Sequence, residues 1–203
     1  FAREFKEELL RSGRFEVVMT REDDSFVSLE RRVAIAHQVG AHVFISLHAD
    51  TLPEGNAHGA VVHVLAKTAS DEASQKLAER HDRADILAGV DLTGKDDEIA
   101  EVLLDLARME TQPRTMALAR SLVSALKESG APMNRKPIRS AGFSVLKAAD
   151  IPSVLLEVGF LSSKRDLKNL LNPNWRATMA TGLRKALQEW VINDAAAAAL
   201  VRQ

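Results

Sequence analysis

A glutamate stands inside an apolar run, Val154-Leu155-Leu156-Glu157-Val158-Gly159-Phe160, and a histidine closes another, Phe44-Ile45-Ser46-Leu47-His48. Glutamate is rarely buried without a partner, so Glu157 needs a reason to be there. One reason is chemical: a carboxylate in an apolar setting serves as a general base or a metal ligand. The other is a buried ion pair, for which Arg139 and Arg165 are the nearest cations in view. His48 has the same two readings, a metal ligand or a hydrogen-bonded structural residue. Hydrolytic zinc normally takes three protein ligands and keeps one position open. The other histidines do not complete that set by spacing. His42 and His48 share one face of a strand but sit near its opposite ends, about 20 Å apart. His37 falls in a helix, His58 just before a strand and His63 inside one, and no HExxH pair exists. Residue type and spacing alone offer one good ligand, His48, and one good base, Glu157.

These two residues need elements to hold them. In open α/β sheets, ligands gather at the C-terminal ends of strands, which is where His48 and Glu157 fall. The hydropathy pattern predicts strands at Phe15–Thr20, His42–Leu47, Gly59–Leu65, Ser144–Leu146 and Ser153–Val158. It predicts helices over Phe1–Leu10, Leu29–Val39 (with Ser28 as N-cap), Ser70–Ala88, Asp96–Glu110, Thr115–Glu128, Ser163–Leu171 and Pro173–Val191. Pro113 reads as an interruption, and the Ala195–Leu200 run as a tail without chemistry. The order implies an α/β fold: a mostly parallel mixed sheet with helices on both faces. The stretch from Ala66 to Glu128 holds no convincing strand, more helix than a crossover needs, and reads as an inserted helical segment.

Composition narrows the function classes. The chain has 203 residues, enough for one well-buried core. Its 27 basic and 28 acidic residues nearly cancel, without the basic surplus of a nucleic-acid binder. No apolar run reaches the length of a membrane span. With no cysteine, disulfides, thiolate zinc sites and cysteine nucleophiles are excluded. Neither GxGxxG nor GxxxxGK[ST] is present, which argues against a nucleotide binder.

The chain resembles the zinc-dependent N-acetylmuramoyl-L-alanine amidases of bacterial cell-wall cleavage. The resemblance rests on Val18-Met19-Thr20-Arg21 with Leu29-Glu30-Arg31-Arg32, on Phe44 to Asp50, on Asn134 to Leu146, and on Val154 to Ser162, in that order. It covers Phe1 to about Val191, and a catalytic domain over residues 1–192 with an alanine-rich tail over 193–203 is expected. The resemblance implies one Zn²⁺, with His48 as a ligand and Glu157 as the catalytic glutamate. The family's other two ligands, a His in a Gly-rich turn and a Glu at a helix start, would fall before Phe1. The sequence therefore reads as N-terminally incomplete, and the 203 residues alone are expected to bind zinc poorly and to be inactive. Division-type members carry an inserted helix over the zinc cleft, lifted by an activator with a degenerate peptidase-like domain. Here that implies a regulatory insertion at about 66–112, with His81 (or Glu79) reaching the metal where the family often has Glu. A surface role for His81 is the bland alternative. The face Ile99, Val102, Leu103 and Leu106 reads as core packing or as an activator's docking surface. A periplasmic monomer acting on peptidoglycan is implied. An inactive peptidoglycan-binding domain and a zinc peptidase of related fold are the competing classes.

Overall fold

The computed structural model describes residues 1–52, 57–87 and 98–201, with side chains over 1–52, 57–83 and 106–199. Among the described residues, six α-helices and four strands follow in the order α1 (Ala2–Arg11), α2 (Leu29–Gln38), β1 (Phe44–His48), β2 (Ala60–Leu65), α3 (Glu72–Leu87), α4 (Glu98–Glu128), β3 (Met133–Ala141), β4 (Ser153–Glu157), α5 (Lys164–Leu171) and α6 (Pro173–Val201). The sheet runs β1-β4-β2-β3. β1 and β4 are parallel, β2 and β3 are parallel, and β2 meets β4 antiparallel, so the sheet is mixed as expected.

Alternating side chains divide β4 between two cores. Val154 and Leu156 enter one with Val62, Val64, Leu118, Leu122 and Leu183, under α1, α4 and α6. Leu155 enters the other with Leu29, Phe44, Leu77, Phe143 and Leu146, under α2 and α3. Both faces of β4 are therefore covered, which is why its sequence reads as a continuous apolar run. Helix α1 is tied to α6 by paired Arg–carboxylate contacts. Arg176 gives Glu4 two bonds of 2.7 and 2.8 Å, and Arg184 reaches Glu8 at 2.8 Å. Ser28 caps α2, accepting from the Arg31 amide at 3.2 Å.

Three expectations are corrected. Phe15–Thr20 is not a strand. Phe15 and Val17 pack against the first core, but the segment has no ladder neighbour among the described residues, and a strand exists only by pairing. Ser144–Leu146 is a 3₁₀ turn whose Val145 and Leu146 are buried. The strand lies before it, at β3. Its Asn134, Arg135, Lys136, Pro137 and Arg139 disguised it, yet charge and proline suit an edge strand. Finally, Pro113 lies inside one continuous α4. It removes a helical hydrogen bond, but the buried Leu118, Leu122 and Leu126 that follow hold the helix against α6 and the sheet. The expected end of α3 at Ala88 and Gly89, and the charged lead Lys95 to Asp97, lie outside the described residues. The stretch expected to lack strands holds only α3 and α4 among the described residues, and α6 continues through the alanine run.

His63, in the middle of β2, is 2 % exposed, sits edge-on to Phe143 with ring centroids 5.0 Å apart, and leaves Nδ1 without a partner. Burial, with the nearby Arg139 charge, pulls its pKa from 6.5 to about 3. The unfolded chain therefore binds one more proton than the folded one between those values. Stability is full above pH 6.5 and is lost as pH falls towards 3. A difference of 1.5 pH units from the unfolded value corresponds to about 2 kcal/mol at pH ~5. His63→Leu should flatten this part of the stability–pH curve, read by denaturant unfolding at a series of pH values. A wild-type slope retained in the variant would show that another group controls it.

Candidate metal centre

Register puts His48 and Glu157 side by side. They are directly paired Cα partners at the C-terminal ends of β1 and β4. The chain leaves β1 through Ala49 and turns Asp50 back to the same place. The Asp50 amide donates to Glu157 Oε2 at 3.1 Å, while the Asp50 carbonyl accepts from the Leu161 amide at 2.9 Å. From the other side comes α3. His81 stacks on His48 with ring centroids 4.4 Å apart and 21° between planes, and its Nε2 lies 2.8 Å from Asp50 Oδ2. Arg80 donates to the Thr51 carbonyl at 2.8 Å, a second tie between α3 and this loop. One ligand atom from each of His48, Asp50, His81 and Glu157 lies within 4.8 Å of all the others.

A second tie fixes the outer wall. Asp166, 3 % exposed near the start of α5, accepts from the Gly59 amide at 2.7 Å and the Phe160 amide at 3.2 Å. It thus joins the approach to β2 with the exit from β4. Gly59 has φ +76°, and a Cβ there would stand 2.5 Å from the Met133 carbonyl carbon, so only glycine fits.

The burial of Glu157 is complete at 0 % exposure. Desolvation, and then the Asp50 charge, push its pKa well above the usual carboxylate value against the opposing Asp50 amide bond. Burial, followed by the His81 charge, lowers His48 to about 4, although Asp50 opposes this. Burial pushes the Asp50 carboxyl up, but its hydrogen bond to His81 and the adjacent positive charges hold it below the ordinary value. The site thus holds His48 as the neutral imidazole beside an ionised Asp50 and a Glu157 reluctant to ionise. Neither proposed ion-pair partner reaches Glu157: Arg139 bonds Asp71 at 3.1 Å, and Arg165 lies 3.6 Å from Asp166.

The family described as N-acetylmuramoyl-L-alanine amidase matches residues 1–189. The chain belongs to that family. It is 33% identical over 180 residues to the amidase AmiA of Escherichia coli K12, covering 88% of this chain and 62% of AmiA. It is 33% identical over 194 residues to AmiC of Neisseria meningitidis, covering 94% of this chain and 45% of AmiC. The chain therefore spans about half to three-fifths of these curated relatives. Among solved structures, the fold is similar to the CwlV catalytic domain from Bacillus (Paenibacillus) polymyxa, with TM-score 0.60, 22% identity, and coverage of 94% of this chain and 80% of that one. It is also similar to the CwlD amidase from Clostridioides difficile in complex with the GerS lipoprotein, with TM-score 0.62, 20% identity, and coverage of 93% and 81%.

In this amidase-family domain the donors fit a zinc ion. Two imidazoles and two carboxylates are zinc-type ligands. Glu157 Oε1 and His81 Nδ1 are buried without a hydrogen-bond partner, as groups awaiting a ligand are. The sequence-predicted residues His48, Glu157 and His81 meet here. His81 is largely covered, not a free surface residue, with its side chain 10% exposed. Glu79 is exposed and bonded to Gln75. His37 bonds Asp150 at 2.8 Å, and neither it nor His42, His58 or His63 joins the cluster. Asp50 was missed. Its signal was the His48-x-Asp50 spacing just past a strand, which returns a side chain to the strand's end.

Proposed function

We propose that this chain is the hydrolytic domain of a zinc-dependent N-acetylmuramoyl-L-alanine amidase. It would cut the amide between the muramic acid lactyl group and L-alanine of the peptidoglycan stem peptide. The observation that carries this reading is the buried Glu157, with one free oxygen, packed among His48, Asp50 and His81 at the strand ends. A zinc held by His48 and its neighbours would polarise the amide carbonyl and acidify water. Glu157, poised by burial to accept a proton, takes one from water and delivers it to the leaving alanine nitrogen. The Asp50 amide holds the Glu157 carboxylate in place during both transfers. The apolar walls around Glu157 keep bulk water from the transferred proton.

Helix α3 favours autoinhibition. His81 stacks over His48 and bonds Asp50, so α3 occupies the space a substrate carbonyl needs. The reading places α3 within a regulatory segment at about 66–112. Activation requires a protein that pulls α3 away, and an activator with a degenerate peptidase-like domain fits. The CwlD amidase of similar fold, solved in complex with the GerS lipoprotein, is an amidase with a protein partner, which suits this reading. Leu106 and Met109 on α4, 63% and 73% exposed, correct the core-packing reading for Leu106 and favour a docking role; Ile99, Val102 and Leu103 lie outside the described side chains. Cell-wall cleavage at division, in the periplasm, by a monomer, completes the reading. Among the described residues, no helix is long and apolar enough to cross a membrane.

Two measurements test it. Elemental analysis of a sample whose N-terminus is fixed by intact mass tests the metal assignment: about one zinc per chain supports it, and near-zero zinc in the folded chain removes it. Digestion of purified sacculi should release whole stem peptides with a free L-alanine amine. Fragments cut within the stem would instead identify a zinc peptidase, and intact sacculi retained by the folded, activated protein would identify a binding domain.

A further inference from the structure

A cleft of about 390 Å³ lies between α3 and the sheet, lined by Val61 and His63 of β2, Asn134 and Arg139 of β3, and Leu77 and Arg80 of α3. Register sets its floor beside Glu157. Val61 is the ladder partner of Glu157, and His63 is the partner of both Leu155 and Arg139, so Glu157, Val61, His63 and Arg139 share one face of the sheet. Three bonds hold the Arg139 guanidinium. Nε donates to the Lys136 carbonyl at 3.3 Å and Nη2 to Asn134 Oδ1 at 3.0 Å, both within β3 itself. Nη1 donates to Asp71 Oδ1 at 3.1 Å. Asp71 belongs with the helix, because the same oxygen accepts from the Ser74 amide and hydroxyl, each at 2.9 Å, and so caps α3. The residue before it belongs with the sheet. The Ser70 amide donates to the Ser140 carbonyl at 2.8 Å, and its hydroxyl accepts from the Ser140 amide at 3.1 Å. Asp71 is thus the first residue able to leave with α3.

We propose that Arg139 is a specificity residue: it binds the free carboxylate that the stem peptide carries on the residue after L-alanine, and Asp71 fills that place while α3 is closed. The inference deepens the proposed function and rests on it, including its movable α3. Arg139 is oriented by its own strand, so its guanidinium keeps its direction when Asp71 withdraws. The Arg139 side chain is only 19% exposed, and a mostly covered cation that loses one carboxylate favours another. The spacing agrees. Reaching back to Asn134, beside the Met133–Ala60 pair, brings the guanidinium level with Glu157 and two strands away, roughly 10 Å. An extended peptide spans about 7 Å from the alanine nitrogen to the next residue's carboxylate. A hydrogen-bond length of about 3 Å separates that nitrogen from the base. Between the two, His63 lines the cleft with a buried Nδ1 that has no partner, a polar atom the closed state does not use.

The probes are two dipeptides, L-alanyl-γ-D-glutamate with its α-carboxylate free, and the same dipeptide with that group amidated. Calorimetric titration compares them on the full chain as wild type, Asp71→Asn and Arg139→Gln. Asparagine still caps α3 but gives up the charge that competes for Arg139. Asp71→Asn should bind the acid about 10- to 100-fold more tightly than the amide, the range of a hydrogen bond between charged groups. The wild type should show the same preference at lower affinity. Arg139→Gln should bind the two alike, and Arg139→Lys should restore part of the preference. Equal binding of acid and amide by Asp71→Asn overturns the proposal, as does binding of neither. A preference that survives Arg139→Gln also overturns it, by assigning the carboxylate to another cation. If Arg139→Gln does not fold, the Asp71→Asn comparison still decides. Sacculi separate this proposal from its parent reading. A chain that cuts the lactyl amide yet ignores the carboxylate keeps the amidase reading and loses the subsite. A chain that prefers the acid yet leaves sacculi intact keeps the subsite and loses the hydrolysis.

Discussion

Glu157→Gln should lower peptidoglycan amide hydrolysis by about 10²- to 10⁴-fold, the range expected when a positioned general base is removed. Glutamine keeps the shape and the oxygen that accepts the Asp50 amide bond, so the fold and the adjoining β1–β4 register should persist. It cannot carry a proton from water to the leaving amine. Zinc content should stay near the wild-type level, which separates the loss of a base from the loss of a metal. The pH profile sharpens the test. Burial raises the Glu157 pKa, so in the metal-free protein the base form is withheld to higher pH than for an ordinary glutamate. Below that pKa the residue is protonated and cannot accept, so the wild-type rate should fall on the acid side. The residual rate of Glu157→Gln should lack that limb. Near-normal turnover in the variant would remove Glu157 from the mechanism. Loss of zinc and rate together would make it a ligand.

His81→Ala should raise the basal rate by about tenfold or more, measured without an activator and at saturating zinc. The estimate follows from the contact it deletes. A hydrogen bond to a charged group contributes about 1.5–3 kcal/mol, and removing it from the closed state shifts the open fraction by a similar factor. The ring stack on His48 is lost with it. The substitution also frees a coordination position, which a hydrolytic zinc requires for substrate. Removing 70–94 should have the same sense and a larger size. A folded variant of either kind with an unchanged basal rate would show that α3 is a wall of the site and not its plug. A drop in rate with preserved zinc would give His81 a direct part in turnover.

The elements legible in the sequence were those whose pattern reports their burial. β4 reads as a strand because both of its faces are covered, and α2 because Ser28 caps it ahead of a periodic apolar stripe. β3 was hidden for the opposite reason. Among the described residues it pairs on one side only, so arginine, lysine and proline are tolerated where an interior strand would forbid them. Phe15–Thr20 misled because strand propensity describes a segment, whereas a ladder needs two. Pro113 misled because long-range packing outweighs a local penalty that sequence alone makes visible. At the site, Glu157 stood out by its incongruity and His48 by its place at a strand end. Asp50 did not, since a polar residue in a polar loop carries no incongruity. Its importance lies in a hydrogen bond spanning 107 positions, which no local window contains. His81 became legible through family resemblance and not through spacing, because α3 reaches the cluster from a separate element.

Asp166 holds the site's outer wall by grasping two main-chain amides, at Gly59 and Phe160, and no side chain of either loop. A grip of this kind reads the main chain rather than side chains, so apart from the glycine required at 59 it is strict chiefly about chain length. Side chains such as Ala57 and Leu161 are therefore open to exchange, whereas Ser162, whose hydroxyl accepts the Leu52 amide at 3.2 Å, is not. Inserting or deleting one residue between these amides and their strands would pull an amide from a buried carboxylate. The cleft can diversify by substitution while its gauge stays set.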